Sequence, residues 1–199
     1  MKDGLVEAFS TETALWEPFL DRIARLYADM DDMYRRVSDQ YGFHCQGCKD
    51  NCCRSTFYHH TVLESLYLMK GFEQMDKDRQ AVVVKRAQVV SLYPRAGHFC
   101  PLCQEERCLL YTYRPMICRL HGIAHEVRRP DGAVSYGPGC EQFEAVTQGQ
   151  SYVVFDRTEF YWALSRLEKE ARECLGVTKR IKMTVSQMVT AFKNRSRSL

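Results

Sequence analysis

Four cysteines fall within nine residues in the run Cys45-x2-Cys48-x3-Cys52-Cys53. No feature of the chain constrains its folding more. Gly42, Gly47 and the pair Asp50-Asn51 interrupt any helix or strand period between Gly42 and Arg54, so the segment is a loop built around thiols. Thiols this close converge on a metal centre with little help from a scaffold, and thiolates suit zinc, copper(I) and iron-sulfur clusters. Adjacent residues in extended backbone point to opposite sides, so Cys52 and Cys53 can serve different metal atoms or different sites.

The thiols do not stop there. Cys100-Pro101-Leu102-Cys103-x4-Cys108-x9-Cys118 forms a second group, Cys140 follows Gly137-Pro138-Gly139, and Cys174 alone falls in a helical pattern, where it reads as an ordinary buried helix cysteine. Ten cysteines in 199 residues could instead form the disulfides of a secreted scaffold, but such scaffolds are small, loop-rich and poor in long helices. This chain has long helical patterns. It has no basic segment followed by an apolar run near Met1, and no stretch approaches the ~20 apolar residues of a bilayer-spanning helix. The expectation is a soluble, cytoplasmic metal protein. A surplus of 28 Lys and Arg over 25 Asp and Glu, a net charge of +3, is too small to imply nucleic acid or an anionic membrane as partner.

The scaffold is helical by pattern. From Thr13 to about Tyr41, Leu15, Phe19, Ile23, Leu26, Met30, Met33 and Val37 recur every three or four residues, the period of one helix face. Further helices are expected over Thr61 to Met69, Asp76 to Leu92, Ser151 to Cys174 with a stop at Gly176, and Thr184 to Phe192. Between Ile123–Val127 and Ala133–Tyr136 stands Pro130-Asp131-Gly132, a turn signal that predicts a small hairpin. The fold class is therefore mainly α: a single-domain helical bundle, residues 1–199, with cysteine-rich metal-binding loops, a metal core over 42–140, a small β-hairpin, and a basic flexible tail over 193–199.

The cysteine run, Cys100-Pro101-Leu102, and the string Cys108-Leu109-Leu110-Tyr111-x2-Arg114-Pro115-x2-Cys118-Arg119 together resemble the YkgJ-like cysteine-cluster family of zinc- or iron-chelating domains. The resemblance spans about residues 45 to 140. It implies eight metal ligands: Cys45, Cys48, Cys52, Cys53, Cys100, Cys108, Cys118 and Cys140. Cys103 stands where that family commonly has an apolar residue, which leaves it as a spare thiol. The flagellin lysine methylases look like distant relatives, and their related cluster is associated with a four-iron centre and S-adenosylmethionine-dependent methyl transfer.

Eight thiolates on two zinc ions leave a formal charge of about −4, and four thiolates on a [4Fe-4S] cluster leave about −2. Either needs positive neighbours. Arg114 and Arg119, inside the string, are expected beside the cofactor, where guanidinium groups donate to sulfur and offset charge. Arg54 and Arg107 read equally well as solvated surface. Irregular cysteine spacings and the lack of a small residue after Cys48 favour an iron-sulfur cluster over zinc, and the resemblance implies the [4Fe-4S] type. His44, His98 and His121 lie near candidate ligands but read as hydrogen-bonding or solvent-exposed groups, and Asp31-Asp32 and Glu105-Glu106 as solvated surface. Two functions follow from these residues: redox or modification chemistry on a cluster, or a zinc-stapled module that binds a protein partner or handles metal without catalysis.

Overall fold

The computed structural model describes residues 13–45, 52–93 and 97–195. Cys48 and the side chain of Cys52 lie outside the described residues. The architecture is helical with two small antiparallel strand pairs, mainly α as the pattern predicts.

The long helix α1 spans Glu17–Gln40, preceded by a 3-10 turn at Thr13–Leu15. Its start is later than the apolar period suggests because Pro18 sits in the first turn, where its missing amide costs nothing. Its buried face also differs from the expected stripe. Leu15 and Met33 are exposed, while Leu20, Ile23, Tyr27, Met30 and Val37 are buried. Together with half-buried Tyr34 these step by alternating intervals of three and four, and the tyrosines belong to the core because their rings pack, Tyr27 on Tyr67 and Tyr34 on Phe155, while the Tyr27 hydroxyl donates to Glu64. At the other end Gly42 takes a φ of +63°. Phe43 N donates to Ser38 O and Gly42 N to Asp39 O at 2.9 and 3.0 Å, a Schellman motif. Buried Phe43 locks this exit, and it delivers Cys45 two residues later.

Helix α2, Val62–Glu73, is central and buried on nearly every side. It runs one turn beyond the expected Met69, and the ring of Tyr113 occupies the space a side chain at Gly71 would need. Helix α3, Lys77–Leu92, begins at Asp76, whose carboxylate accepts from Arg79 N at 2.8 Å. After a short helix α4, Met116–Leu120, and the predicted hairpin, α5 covers Glu141–Thr147, α6 Thr158–Cys174 and α7 Val185–Arg195. Helices α1 and α6 flank α2, and α3 packs chiefly on α7. Helix α6 starts seven residues later than expected from Ser151, because Asp156 accepts from Thr158 N at 2.9 Å and turns the chain only there. Before it, Glu126 N donates to Phe155 O and Arg157 N to Glu126 O, holding the segment extended along the hairpin. Gly176, at φ +65°, ends α6 as predicted. Cys174 departs from expectation: it is exposed on the last turn of α6. Helix α7 opens on a capping box, with Gln187 N donating to Thr184 Oγ1 and Thr184 N to Gln187 Oε1. It continues to Arg195, three residues into the stretch expected to be a tail.

Among the described residues two hairpins are present where the sequence predicts one. The unpredicted hairpin comes first and joins β1, Cys103–Gln104, to β2, Arg107–Cys108, through Glu105 and Glu106 at φ of 49° and 62°. Two-residue loops of this type favour Asn-Gly, so the sequence carries no signal for it. Replacing Glu105 by Asn together with Glu106 by Gly is expected to stabilise the metal-free protein by about 1–2 kcal/mol, read as a raised urea midpoint. In the predicted hairpin, β3, His125–Arg128, and β4, Val134–Gly137, pair antiparallel, Arg128 opposite Val134. Its first strand starts two residues later than expected because Ile123 is fully buried in the core.

One buried carboxylate ties the bundle together. Glu168 on α6 accepts from Val62 N and Leu63 N, the first amides of α2, at 2.9 and 3.0 Å. Burial nevertheless pushes its acid form up to about 7. An acid whose folded value lies above its unfolded one stabilises the fold fully below the unfolded value and loses that contribution as pH rises through the folded one. Between pH ~4.5 and ~7 the wild-type protein should therefore lose up to about 3 kcal/mol that Glu168→Gln does not lose. Urea melts at pH 5 and pH 8 on both proteins check this; parallel pH profiles would refute it.

Candidate metal centre

The thiols are gathered by five local devices. Cys45 follows the Schellman exit of α1. Cys53 lies in a 3-10 turn, Cys52–Arg54, and its carbonyl accepts from Cys100 N at 2.7 Å, which joins the first cysteine segment to the second. Cys108 is on β2 and Cys118 on α4. Cys140 caps α5, and its N–H donates to Gly122 O at 2.9 Å. Tight backbone approach makes this last contact: Gly122 has φ +118° with the Tyr34 hydroxyl 2.8 Å from where a Cβ would stand, and a Cβ on Gly139 would strike the Phe143 ring.

Helix α4 is pinned from three sides. Glu64, buried on α2, accepts from Met116 N at 2.8 Å, from Tyr27 Oη at 3.2 Å and from Thr61 Oγ1 at 2.7 Å. Arg157, also buried, donates to Leu120 O and Ile123 O. Arg119 pairs with Asp31 on α1, donates to Thr112 O, and lies over the Tyr27 ring at 4.4 Å. By sequence Asp31 reads as solvated surface; the fold instead uses it to hold a guanidinium that is 2% exposed.

These devices converge. Cys45, Cys53, Cys100, Cys108, Cys118 and Cys140 all line one cavity of about 960 Å³. Cys103 and Cys174 are not among its lining residues. Among the described residues, no three Cys, His, Asp or Glu side chains are close enough to share a single metal ion. Also among the described residues, five arginines line the cavity, Arg35, Arg54, Arg107, Arg114 and Arg119, against Asp31 and Glu106. Arg54 and Arg107 thus belong to the cavity wall. Arg54 also lies over the Phe99 ring at 4.8 Å, and Arg114 over Tyr111 at 3.5 Å.

Polar atoms without partners also face this region. Arg119 Nε, His59 Nε2 and Gln142 Oε1 are buried with no hydrogen-bond partner among the described residues, and all three residues line the cavity. Buried polar groups left this way are costly and mark places where a ligand or ion completes the bonding. His44, His98 and His121 line it too. His44 is 3.8 Å from Asp39, and the His121 ring packs on Phe57. Burial lowers the pKa of His121 and of His59, so both rings are neutral at neutral pH. Tyr34 is raised by burial and by the neighbouring Cys45 and Cys140, which keeps its hydroxyl protonated beside those two thiols. Nothing in the sequence marks Tyr34 or Gln142 as part of a site, because an isolated residue of either type carries no periodic or spacing signal, and the His59-His60 pair near a helix start carries only a weak one.

A donor set of thiols ringed by guanidinium groups is what a negatively charged thiolate–metal centre requires. No curated protein and no solved structure matches the chain. A family model covering residues 44–149, just over half of the chain, does match, and it contains all eight cysteines expected as ligands. By that match the chain belongs to the CxxCxxCC family, described as "Putative zinc- or iron-chelating domain".

Proposed function

We propose that the cavity holds a [4Fe-4S] cluster on cysteines drawn from Cys45, Cys48, Cys52, Cys53, Cys100, Cys108, Cys118 and Cys140, and that the protein uses it in redox or modification chemistry. The observation that carries this reading is the convergence of six of these thiols on one cavity with five guanidiniums and two carboxylates. That charge balance suits an anionic centre. The cavity's volume also exceeds what a single coordinatively closed ion occupies, and the four irregular cysteine spacings suit loops wrapped around a larger group.

A bound cluster would supply electron transfer and reactive iron. The chain's own residues do the rest. Arg119, fixed by Asp31, Thr112 and Tyr27, offers a buried Nε–H as a donor to sulfur, and Arg114 adds positive charge at the wall. Such donors raise the reduction potential of a cluster by stabilising its more negative state. Tyr34 keeps a protonated hydroxyl next to Cys45 and Cys140. The remaining cavity wall, which includes Phe57, His59 and Gln142, leaves room for a reactant beside the metal.

Anaerobic purification followed by an absorption spectrum, with iron, sulfide and zinc measured on the same sample, tests the reading. Charge-transfer absorption near ~400 nm with matching iron and sulfide is the expected result. A colourless protein with stoichiometric zinc and no sulfide would overturn it and leave a zinc-stapled interaction module.

A further inference from the structure

The unpredicted hairpin places two cysteines face to face. Cys103 is the register partner of Cys108, and Gln104 of Arg107. On the other side of the cysteine pair, Leu109 N donates to Leu102 O at 2.8 Å. Bonded and non-bonded pairs alternate along an antiparallel ladder, so Cys103 and Cys108 form the non-hydrogen-bonded pair, whose Cα atoms are about 4.5 Å apart with side chains on the same face. Disulfides accept Cα separations of about 4.4–6.8 Å. The backbone already has the geometry of a cross-strand disulfide, while both residues stand as half-buried thiols.

We propose that Cys103 and Cys108 form a dithiol site for exchange with small-molecule disulfides of the glutathione class. Cys108 lines the metal cavity and Cys103 does not; resting on the reading of Cys108 as a ligand, closing the bond removes one donor from the metal centre. In the first step one thiolate attacks the small disulfide, forming a mixed disulfide and expelling one thiolate. In the second its partner attacks the protein sulfur of that mixed disulfide and expels the second thiolate. The two protein thiols are oxidised by two electrons, the small disulfide is reduced to two thiols, and the two protons end on those products. The tight Glu105-Glu106 turn holds the pair in register, so the second step is intramolecular and fast relative to attack by another reagent molecule.

The experiment incubates metal-free and metal-reconstituted full-length protein with oxidised glutathione, quenches by alkylation, and digests with trypsin. Trypsin leaves Cys103 on one peptide with Cys100 and Cys108 on another with Cys118, since Arg114-Pro115 resists cleavage, so the bond appears as a linked peptide pair two hydrogens lighter whose fragmentation locates it at Cys103 and Cys108. The expected result is that this pair dominates in the metal-free protein, disappears in Cys103→Ser, persists in Cys174→Ser, and reverses with dithiothreitol. Circular dichroism of Cys103→Ser controls for its fold. Mixed disulfides that never resolve, or a different dominant pair, would overturn the proposal. Reconstituted protein should form the bond about tenfold more slowly or less, because a metal-bound sulfur is withheld from exchange. Equal rates with the pair still formed would remove Cys108 from the metal centre and leave the exchange site intact, so the two ideas fail separately.

Discussion

Cys118→Ser is expected to lose its metal, with affinity reduced by at least about 100-fold, while Cys174→Ser and Cys103→Ser retain it under reducing conditions. Cys118 is the sharpest test because α4 has little freedom to compensate. Glu64 holds its first amide, Arg157 its last carbonyl, and Arg119 ties it to Asp31. A hydroxyl is a poorer and less acidic donor than a thiol, and α4 cannot shift to bring another group into the vacated place without breaking those bonds. The contrast variants separate lining cysteines from the rest: Cys174 is exposed on α6, and Cys103 is across the hairpin from a lining residue. Metal and sulfide per chain after gel filtration, with circular dichroism on every variant, provide the readout. Equal retention by Cys118→Ser and wild type would place the metal elsewhere.

Glu64→Ala should be the most destabilising single change away from the thiols, by about 4 kcal/mol, from leaving two buried donors and one half-buried donor without an acceptor at roughly 1–3 kcal/mol each. Those donors are Met116 N, Tyr27 Oη and Thr61 Oγ1. Part of the loss is offset because an anion no longer has to be buried. For a chain of this size about 4 kcal/mol corresponds to a melting point lower by roughly 8–16 °C. The change should also loosen α4 and with it Cys118, so reconstitution of the variant should be incomplete even below its melting point. A loss under ~1 kcal/mol in urea melts of the metal-free protein would mean that water reaches the three donors.

The helices show how far a one-dimensional pattern goes. Apolar period, acidic starts, Pro and Gly are enough to find α1, α2, α3, α6 and α7, because those signals act within one or two turns. The departures have local causes. Tyr27 and Tyr34 fall outside the apolar stripe of α1 because their hydroxyls mask rings that pack. Asp156 delays α6 through a side-chain bond that competes with the helix. The hairpin at Cys103–Cys108 has no Asn-Gly turn to announce it, because Glu105 and Glu106 take up the positive φ that such a turn would supply.

For the candidate site, the cysteine spacings alone determine that the chain is built around thiols, since chemistry and spacing travel together along a chain. The helical pattern around Cys174 and the family string around Cys103 also set those two apart from the other cysteines. Which thiols share a cavity is beyond the spacings. That is decided by contacts between residues far apart in sequence: the Cys53–Cys100 and Gly122–Cys140 backbone bonds, and the hold of Glu64, Arg157 and Asp31 on α4. The same contacts turn Asp31 from a surface acid into the partner of Arg119 and bring His59 and Gln142 to the cavity wall. Loop closure is governed by the packing of the whole bundle, and one-residue patterns contain no record of it.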